Sequence, residues 1–563
     1  MRKQLSRWLI GIGLGLLALA LLGLALPPLV GLAGYLPDGL TSAYLQVDDP
    51  DAPFEIWLPL ALNNDDGSNA GGGDGDAEVS SHEGYYTVYE GSKTCNECHL
   101  EQALEVHGSV HYQWQGPTPD VHGMDVGGKL GGINDFCGYP DINFIGLLTN
   151  LDGVRVSGGC AGCHVGMGLK PASEATQEQV ENIDCLICHS ETYRRKVVET
   201  EAGFRYAPAP EMMDVPLETA ITDITKPNRA TCVACHAYAG GGCNNKRGDI
   251  ESAHIDPPSA EFDVHMASRA KGGAGLACTD CHVTEDHRIA GRGVDLRPTD
   301  LDTPVRCQNC HEERPHHEYQ IDNHTARVDC TVCHIPYFAK ITSTDMFRDY
   351  RSVDVLEDKR LYEPHIERQA QVVPEYRFWD GTSTFYQFGD PAVLGDSGRL
   401  LMAGPVGDIT DPQSKLFAFK YHQALQPYDP VTQRLLPMKM GVLFQFGDIE
   451  RAVLQGVAEL GWELTQGYEY LPTDRYMGIF HEVSPADDAL ECADCHASTD
   501  RMDLAAMGYG PRNERDGQPL CASCHEDESD EWDPDEYFTK VHDKHVKDKK
   551  IDCAECHTFS RIP

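Results

Sequence analysis

The sequence predicts a mainly helical chain with extensive irregular structure, folded around bound groups more than around a large side-chain core. Three observations lead there. The pentapeptide CxxCH occurs ten times, 54 glycines and 34 prolines punctuate 563 residues, and fifteen of the 25 histidines stand outside the motifs. Two thiols three positions apart, followed at once by an imidazole, can each add to one vinyl group of a single haem and bring the imidazole to its iron. A zinc site or a redox disulfide would account for one bare CxxC, but not for ten that are each completed by histidine. Stacked porphyrins would supply apolar bulk that side chains otherwise provide. Short helices, much irregular chain and almost no sheet are therefore expected.

The motifs consist, in chain order, of Cys95, Cys98 and His99; Cys160, Cys163 and His164; Cys185, Cys188 and His189; Cys232, Cys235 and His236; Cys278, Cys281 and His282; Cys307, Cys310 and His311; Cys330, Cys333 and His334; Cys492, Cys495 and His496; Cys521, Cys524 and His525; and Cys553, Cys556 and His557. They imply about ten covalently attached haems c. Each iron has room for a second axial ligand, and a second imidazole closes a haem to everything except electrons. His111, His265, His287, His324 and His481 lie close enough to motifs to be read as such ligands. His82, His365 and His422 lie far from motifs and read as surface histidines.

The formal charge is −42, which argues against nucleic acid and anionic lipid as partners and is compatible with a cationic redox partner. At the N-terminus, Arg2, Lys3 and Arg7 precede an uncharged apolar stretch from Trp8 to about Gly34. That is longer than the core of a cleavable signal and matches the ~20 residues that span a bilayer. The reading adopted is an uncleaved anchor, with a cleaved signal as the alternative. Both export the haem-bearing part to the extracytoplasmic side, periplasm or cell surface.

Residues 1–34 are thus a membrane anchor or signal, and 35–89 a linker region. The linker holds one candidate strand, Phe54–Leu62, and the flexible spacer 63–78. Residues 90–512 form the cytochrome core, with seven motifs crowded into 95–334 and a motif-free interval up to Cys492. Within the interval, Asp448 can cap a helix with Ile449, Val453, Val457 and Leu460 on one face. Residues 513–563, with two motifs, read as a dihaem extension.

Several stretches carry a resemblance. Asn134-Asp135-Phe136-Cys137, the run DCLICH at 184–189, CVACHAYAGGGCNNKRGD at 232–249, CTDCHVTEDHRIAGR at 278–292, NHTARVDCTVCHIP at 323–336, SKLFAFK at 414–420 and CADCHASTDRMDLAAMGYG at 492–510 resemble the octahaem tetrathionate reductase family of c-type cytochromes. The likeness covers roughly residues 90 to 512, and residues 1–89 and the dihaem tail depart from it. The resemblance implies that one haem, on the second motif, is the reactive one, with a lysine ligand and a pocket cysteine. Carried over, these are the haem of Cys160 and Cys163, the lysine Lys246 and the thiol Cys137. Lys170 is the rival amine, and whether a lysine replaces His164 or sits opposite it stays open.

A lysine binds iron only as neutral amine, which burial favours. Otherwise Lys246 is a solvated side chain pairing with Asp249, while Gly240, Gly241 and Gly242 would let the backbone approach a porphyrin. Cys137 and Cys243 are the two thiols outside the motifs and could form a disulfide or serve sulfur–sulfur exchange. The function expected is reduction of a small sulfur or nitrogen oxyanion, tetrathionate, nitrite or hydroxylamine, with electrons from a quinol dehydrogenase or another cytochrome. The alternative is a conduit without a substrate site.

Overall fold

Haem-attachment sequence folds into helical segments, most of them a single turn, because two cysteines three apart must share one side of the backbone. In the computed structural model such segments include Ser92–His107, Cys160–Cys163, Leu186–His189, Arg229–His236, Cys278–Cys281, Cys330–His334 and Cys492–His496. The structure describes residues 80–82, 89–136, 138–291, 295, 298–496, 499–511, 514–515, 518–519, 540–552 and 555–558, all within one compact unit. The Arg229–His236 helix starts where Asn228 Oδ1 accepts from the amides of Ala230 and Thr231, at 2.9 and 3.3 Å. Between the turns the chain is irregular, with small two-stranded pairings such as Arg195–Thr200 with Gly203–Pro208.

The motif-free interval corrects the expectation of a mainly helical, nearly sheetless protein. It builds an eight-stranded mixed sheet in the order Leu361–Gln369, Thr344–Leu356, Lys415–Asp429, Glu469–Gly478, Leu400–Pro405 and Ser383–Phe385. Glu375–Trp379 and Arg434–Leu435 also pair with the Lys415–Asp429 strand. The physical reason is the absence of CxxCH. Without porphyrins this segment must bury apolar side chains of its own, and a sheet with one apolar face does so. The Lys415–Asp429 strand shows the required alternation, with Leu416, Ala418, Ala424 and Gln426 buried in period two.

Two clusters follow from it. One gathers Val332, Ile335, Phe338, Tyr376, Leu416 and Ile479 beneath the seventh motif. The other gathers Tyr350, Leu436, Met438, Leu443 and Val453 around two helices, Met440–Phe446 and Ile449–Glu459. The latter is the helix expected from the sequence: Asp448 Oδ1 accepts from Arg451 N at 2.9 Å, and Val453 and Val457 are buried.

The expected anchor over Trp8–Gly34, the candidate strand Phe54–Leu62, the spacer 63–78 and the ninth motif lie outside the described residues. No helix among the described residues is long and apolar enough to cross a membrane. The dihaem tail is joined to the core: Gly510–Pro511 pairs with His557–Thr558, and Gln320 Nε2 donates to Val546 O at 2.8 Å.

Leu443 is fully buried while Leu454, one helix later, is 48% exposed. L443A is expected to lower stability by about 2–5 kcal/mol, and L454A by less than about 0.5 kcal/mol. Denaturant unfolding followed by far-UV circular dichroism distinguishes the two.

Candidate haem centres and active site

Eight motif histidines each face one histidine from elsewhere in the chain. Ring centres are 6.1 Å apart for His99 and His82, 6.2 Å for His236 and His111, 6.3 Å for His189 and His287, and 6.0 Å for His311 and His265. They are 6.2 Å apart for His282 and His481, 6.0 Å for His334 and His316, 6.2 Å for His496 and His324, and 6.3 Å for His557 and His542. An iron bonded at about 2 Å to one nitrogen of each ring would set the centres about 6 Å apart, so the pairs have the spacing that a haem iron fits.

The hydrogen bonds point the same way. His189 Nδ1 donates to Thr225 O at 2.9 Å, His282 Nδ1 to Ala290 O at 2.8 Å and His324 Nδ1 to Gln320 O at 2.9 Å. Carboxylates of Glu105, Asp249 and Asp322 face the Nδ1 atoms of His287, His481 and His316 at 2.7, 3.0 and 3.2 Å. Holding Nδ1 this way leaves Nε2 as the atom able to face a metal.

All five histidines singled out in the sequence, His111, His265, His287, His324 and His481, fall in these pairs. His82, His316 and His542 were missed, and His82 is not the free surface histidine expected. A signal for them existed: they stand 17, 18 and 15 residues before the histidines they face. His365 is a surface residue paired with Asp354 at 2.7 Å. His422 is fully buried, contrary to expectation. His545, whose Nδ1 meets Val541 O at 2.9 Å, is held in the manner of the paired histidines.

Among the described attachment thiols, Cys98, Cys281, Cys307, Cys310 and Cys492 are exposed and the others half-buried, so a vinyl group can reach them. Cys98 sits within the Ser92–His107 helix, one residue before the kink at His99. Four expected members of the tail motifs, Cys521, Cys524, His525 and Cys553, lie outside the described residues.

The motif thiols give an order. Cys95 lies within hydrogen-bond reach of Cys185, Cys232 of Cys278, and Cys307 of Cys330. Cys188 is close to Cys232 and Cys235, Cys281 to Cys310, and Cys333 to Cys495. His496 lies within electrostatic reach of His542 and His557. The run is therefore first, third, fourth, fifth, sixth, seventh, eighth and tenth motif. The second motif joins it from the side, where Cys163 meets Cys235 of the fourth.

That second motif differs from the rest. His164 is fully buried among the rings of Tyr112, Trp114 and Phe144, with centres 5.1–5.4 Å away. Its Nε2 donates to the Tyr112 carbonyl at 2.7 Å, and its Nδ1 has no partner among the described residues. The nitrogen that His189 and His282 keep for a metal is thus engaged by backbone in His164. Burial lowers the His164 pKa to about 4, so the ring is neutral. The turn itself is clamped by buried Arg195, which donates to the carbonyls of His164 and Gly166, both at 2.8 Å, and pairs with Asp184 at 3.2 Å.

Lys246 is buried and not solvated. Its ammonium pairs with Asp295 at 2.6 Å, whereas Asp249 is occupied by Arg247 and His481. Burial lowers its pKa, against the opposing pull of Asp295. Lys129 lies within electrostatic reach of Cys163, His164 and Lys246 alike, which puts the lysine and the second motif in one neighbourhood. Lys170 is exposed and bound to Asp141, so the rival amine is at the surface. Glycines 240 and 241 take φ of +89° and +95° to turn the loop back on itself, and a Cβ on Gly240 would press on Lys246. Their role in the fold is this reversal.

Around Lys246 runs a buried ionic network that the sequence reading did not foresee. Arg475 pairs with Asp295 and, at 2.5 Å, with Asp135. Asp135 holds His422 Nδ1 at 2.6 Å, and Asp345 faces His422 Nε2 at 3.1 Å. Burial opposes ionisation of Asp135, but Arg475 and His422 outweigh it and hold its carboxyl well below the usual range. Phe136 stacks on His422 with centres 4.1 Å apart, and Tyr350 Oη donates to Asp135 O at 2.8 Å. Lys420 donates to the carbonyls of Asn245 and Lys246 at 2.7 and 3.0 Å. Arg348 bonds the carbonyls of Phe136 and Gly240.

The sheet thus grips both loops, the one carrying Asp135 and Phe136 and the one carrying Lys246. A sequence signal was present, since Lys420 and His422 fall on the period-two face of Leu416 and Ala418. Cys137 itself lies outside the described residues. Cys243 is half-buried beside Ser252, whose amide meets its Sγ at 3.4 Å.

Removing a partner from a buried ion network strands the charges left behind. R475M is expected to destabilise the protein by about 3–5 kcal/mol. R377M, on an exposed pair with Glu375 2.9 Å away in the same sheet, is expected to change stability by about 0–1 kcal/mol. Thermal unfolding of the two variants makes the comparison.

Residues 362–499 match the family model described as "Cytochrome c bacterial". An uncharacterised protein of Archaeoglobus fulgidus is 36% identical, over 37% of this chain and 78% of its own length. The crystal structure of an octahaem cytochrome c from Shewanella oneidensis aligns with a TM-score of 0.60 and 29% identity, covering 74% of this chain and 92% of that one. Ten attachment motifs, paired imidazoles at haem spacing and these relatives together place the chain in the family of multihaem c-type cytochromes, with covalently bound haem c.

Proposed function

We propose that this chain is an exported oxidoreductase of the octahaem tetrathionate reductase type, extended by two haems. The eight histidine pairs hold haems that relay electrons, and the haem on Cys160 and Cys163 is the reactive one. The observation that carries the reading is the engagement of His164 Nε2 by the Tyr112 carbonyl, where His189 and His282 bond backbone through Nδ1 and keep Nε2 available. On this reading Lys246 takes the place of His164 as ligand, and Cys137 is the pocket thiol. Haem supplies single electrons and a metal site open to a small ligand.

The residues of the chain do the rest. Arg195 and the three rings around His164 fix the attachment turn. Asp295 holds Lys246 in place, and the burial that disfavours its charged form readies a neutral amine for the iron. Lys129, within electrostatic reach of Cys163, His164 and Lys246, gives the neighbourhood a positive charge suited to a sulfur or nitrogen oxyanion, with tetrathionate, nitrite and hydroxylamine the candidates. Electrons come from a quinol dehydrogenase or another cytochrome, and the N-terminal apolar segment anchors the chain on the extracytoplasmic side of the membrane.

A second reading is favoured by one specific observation, the unbroken run of eight pairs. A run of that kind serves as a conduit between membrane, partner cytochrome and extracellular acceptor, with no turnover of its own.

With a reduced dye as donor, the enzyme reading expects turnover of at least one of tetrathionate, nitrite and hydroxylamine. It also expects K246M to lose that turnover and to change one haem's spin state in the ferric electron paramagnetic resonance spectrum. A ferric protein that is wholly low-spin and unmoved by nitrite, hydroxylamine or cyanide would leave only the conduit.

The ligand assignments have their own test. H82A and H316A should each convert one low-spin haem to high-spin, and H365A should convert none. Spin counting on the three variants decides it.

A further inference from the structure

The geometry points to a docking surface for an acidic redox protein at the carboxy-terminal haem. The inference rests on the proposed reading that the haem of Cys553 and Cys556 is held by His542 and His557. It goes beyond that reading in naming where electrons cross to a partner and what chemistry the partner has.

The first observation is wiring. Tyr509 stacks on His557 with ring centres 5.0 Å apart and meets His496 edge-on at 5.8 Å, so one aromatic ring links the ligands of the eighth and tenth motifs. Strand pairing of Pro511 with His557 holds that arrangement in register. Among the described motifs the tenth is thereby the last of the run and not an isolated appendage.

The second observation is charge. Residues 540–550 carry five lysines and two aspartates, in a chain whose formal charge is −42. Lys544, Lys547, Lys549 and Lys550 are exposed around the segment that presents His542. Lys547 pairs with Asp543 at 2.8 Å and Lys544 with Asp548 at 3.5 Å, and both pairs are open to water. Exposed pairs of this kind are weak and can be exchanged for a partner's carboxylates. An extended polyanion such as a membrane or nucleic acid would also meet the acidic remainder of the surface and be repelled. A compact acidic protein can meet the lysines, of which Lys550 also pairs with Glu318 at 3.7 Å, without covering the acidic remainder of the surface.

The test uses the full-length holoprotein and two reductants, a reduced acidic [2Fe–2S] ferredoxin and a small neutral dye, in stopped-flow measurements. The second-order rate with ferredoxin should fall at least about tenfold between low and high salt, as screening of opposite charges requires. The triple variant K544E/K547E/K549E should lower the low-salt rate by about tenfold while the dye rate stays unchanged. A ferredoxin rate that rises with salt, or that ignores the triple variant, overturns the proposal. So does salt indifference arising because the eight acidic residues of 526–536, which lie outside the described residues, already cover the lysines.

H542A and H542M separate this failure from failure of the underlying reading. If neither variant converts one haem to high spin, the ligand assignment is wrong. If both do and the salt dependence is absent, the docking surface alone falls.

Discussion

Pairs of imidazoles facing each other at the spacing that a haem iron fits are the arrangement on which this architecture depends. Each pair ties an attachment turn to a distant segment: His282 to His481, and His236 to His111. A chain rich in glycine and proline, with short helices between irregular stretches, has little local structure of its own to set such distances. Backbone carbonyls and carboxylates on the Nδ1 atoms of His189, His282, His324, His287, His481 and His316 contribute to this by fixing the tautomer and direction of those rings. On the proposed ligation the pairs act as cross-links in the sense that metal sites do, joining segments whose contact in the unfolded chain is improbable.

The sheet in the motif-free interval complements them. It carries no haem of its own, yet it is where the second-motif neighbourhood is moulded. Opposite one another on adjacent strands, His422 and Arg475 both reach Asp135, and Arg475 continues through Asp295 to Lys246. Burying that many charges is unfavourable unless every member is paired. A network of this kind tolerates little displacement, so two loops separated by about a hundred residues in sequence are held in one register. Rigid support of this sort is what a reactive centre needs and a relay centre does not.

What was legible in the sequence follows from the range of the signals. CxxCH is a local motif with one chemical explanation, so the attachment sites and the cytochrome class could be read directly. Asp448 capping a helix was equally local, and it stands as read. The sheet was not read, because glycine- and proline-rich composition dominated the expectation and the haem-free interval was not treated as a segment with its own core to fill. Ligand pairing was read where spacing to a motif was short. His82 was misjudged because histidine spacing was compared with the nearest sequence and not with a recurring offset, although His316 and His542 share nearly the same offset. The ionic network was invisible for a different reason: Asp135, Asp295, Asp345 and Arg475 come from four separated segments, and nothing in the sequence places them together.

The branching of the run bears on how relay and reduction can coexist. Among the described residues the second motif meets the series at Cys235 of the fourth motif, and the series continues past that point in both directions. A reactive haem placed within the line would have to open its iron to ligands and would interrupt conduction each time a ligand shifted its potential. Placed to the side, it can bind and release small molecules while the line between the first and tenth motifs keeps carrying charge. The tail lengthens that line at its far end and leaves the branch untouched. On the proposed function, the extra haem there and the side-mounted one answer separate demands, one on where electrons meet a partner and the other on where they are used.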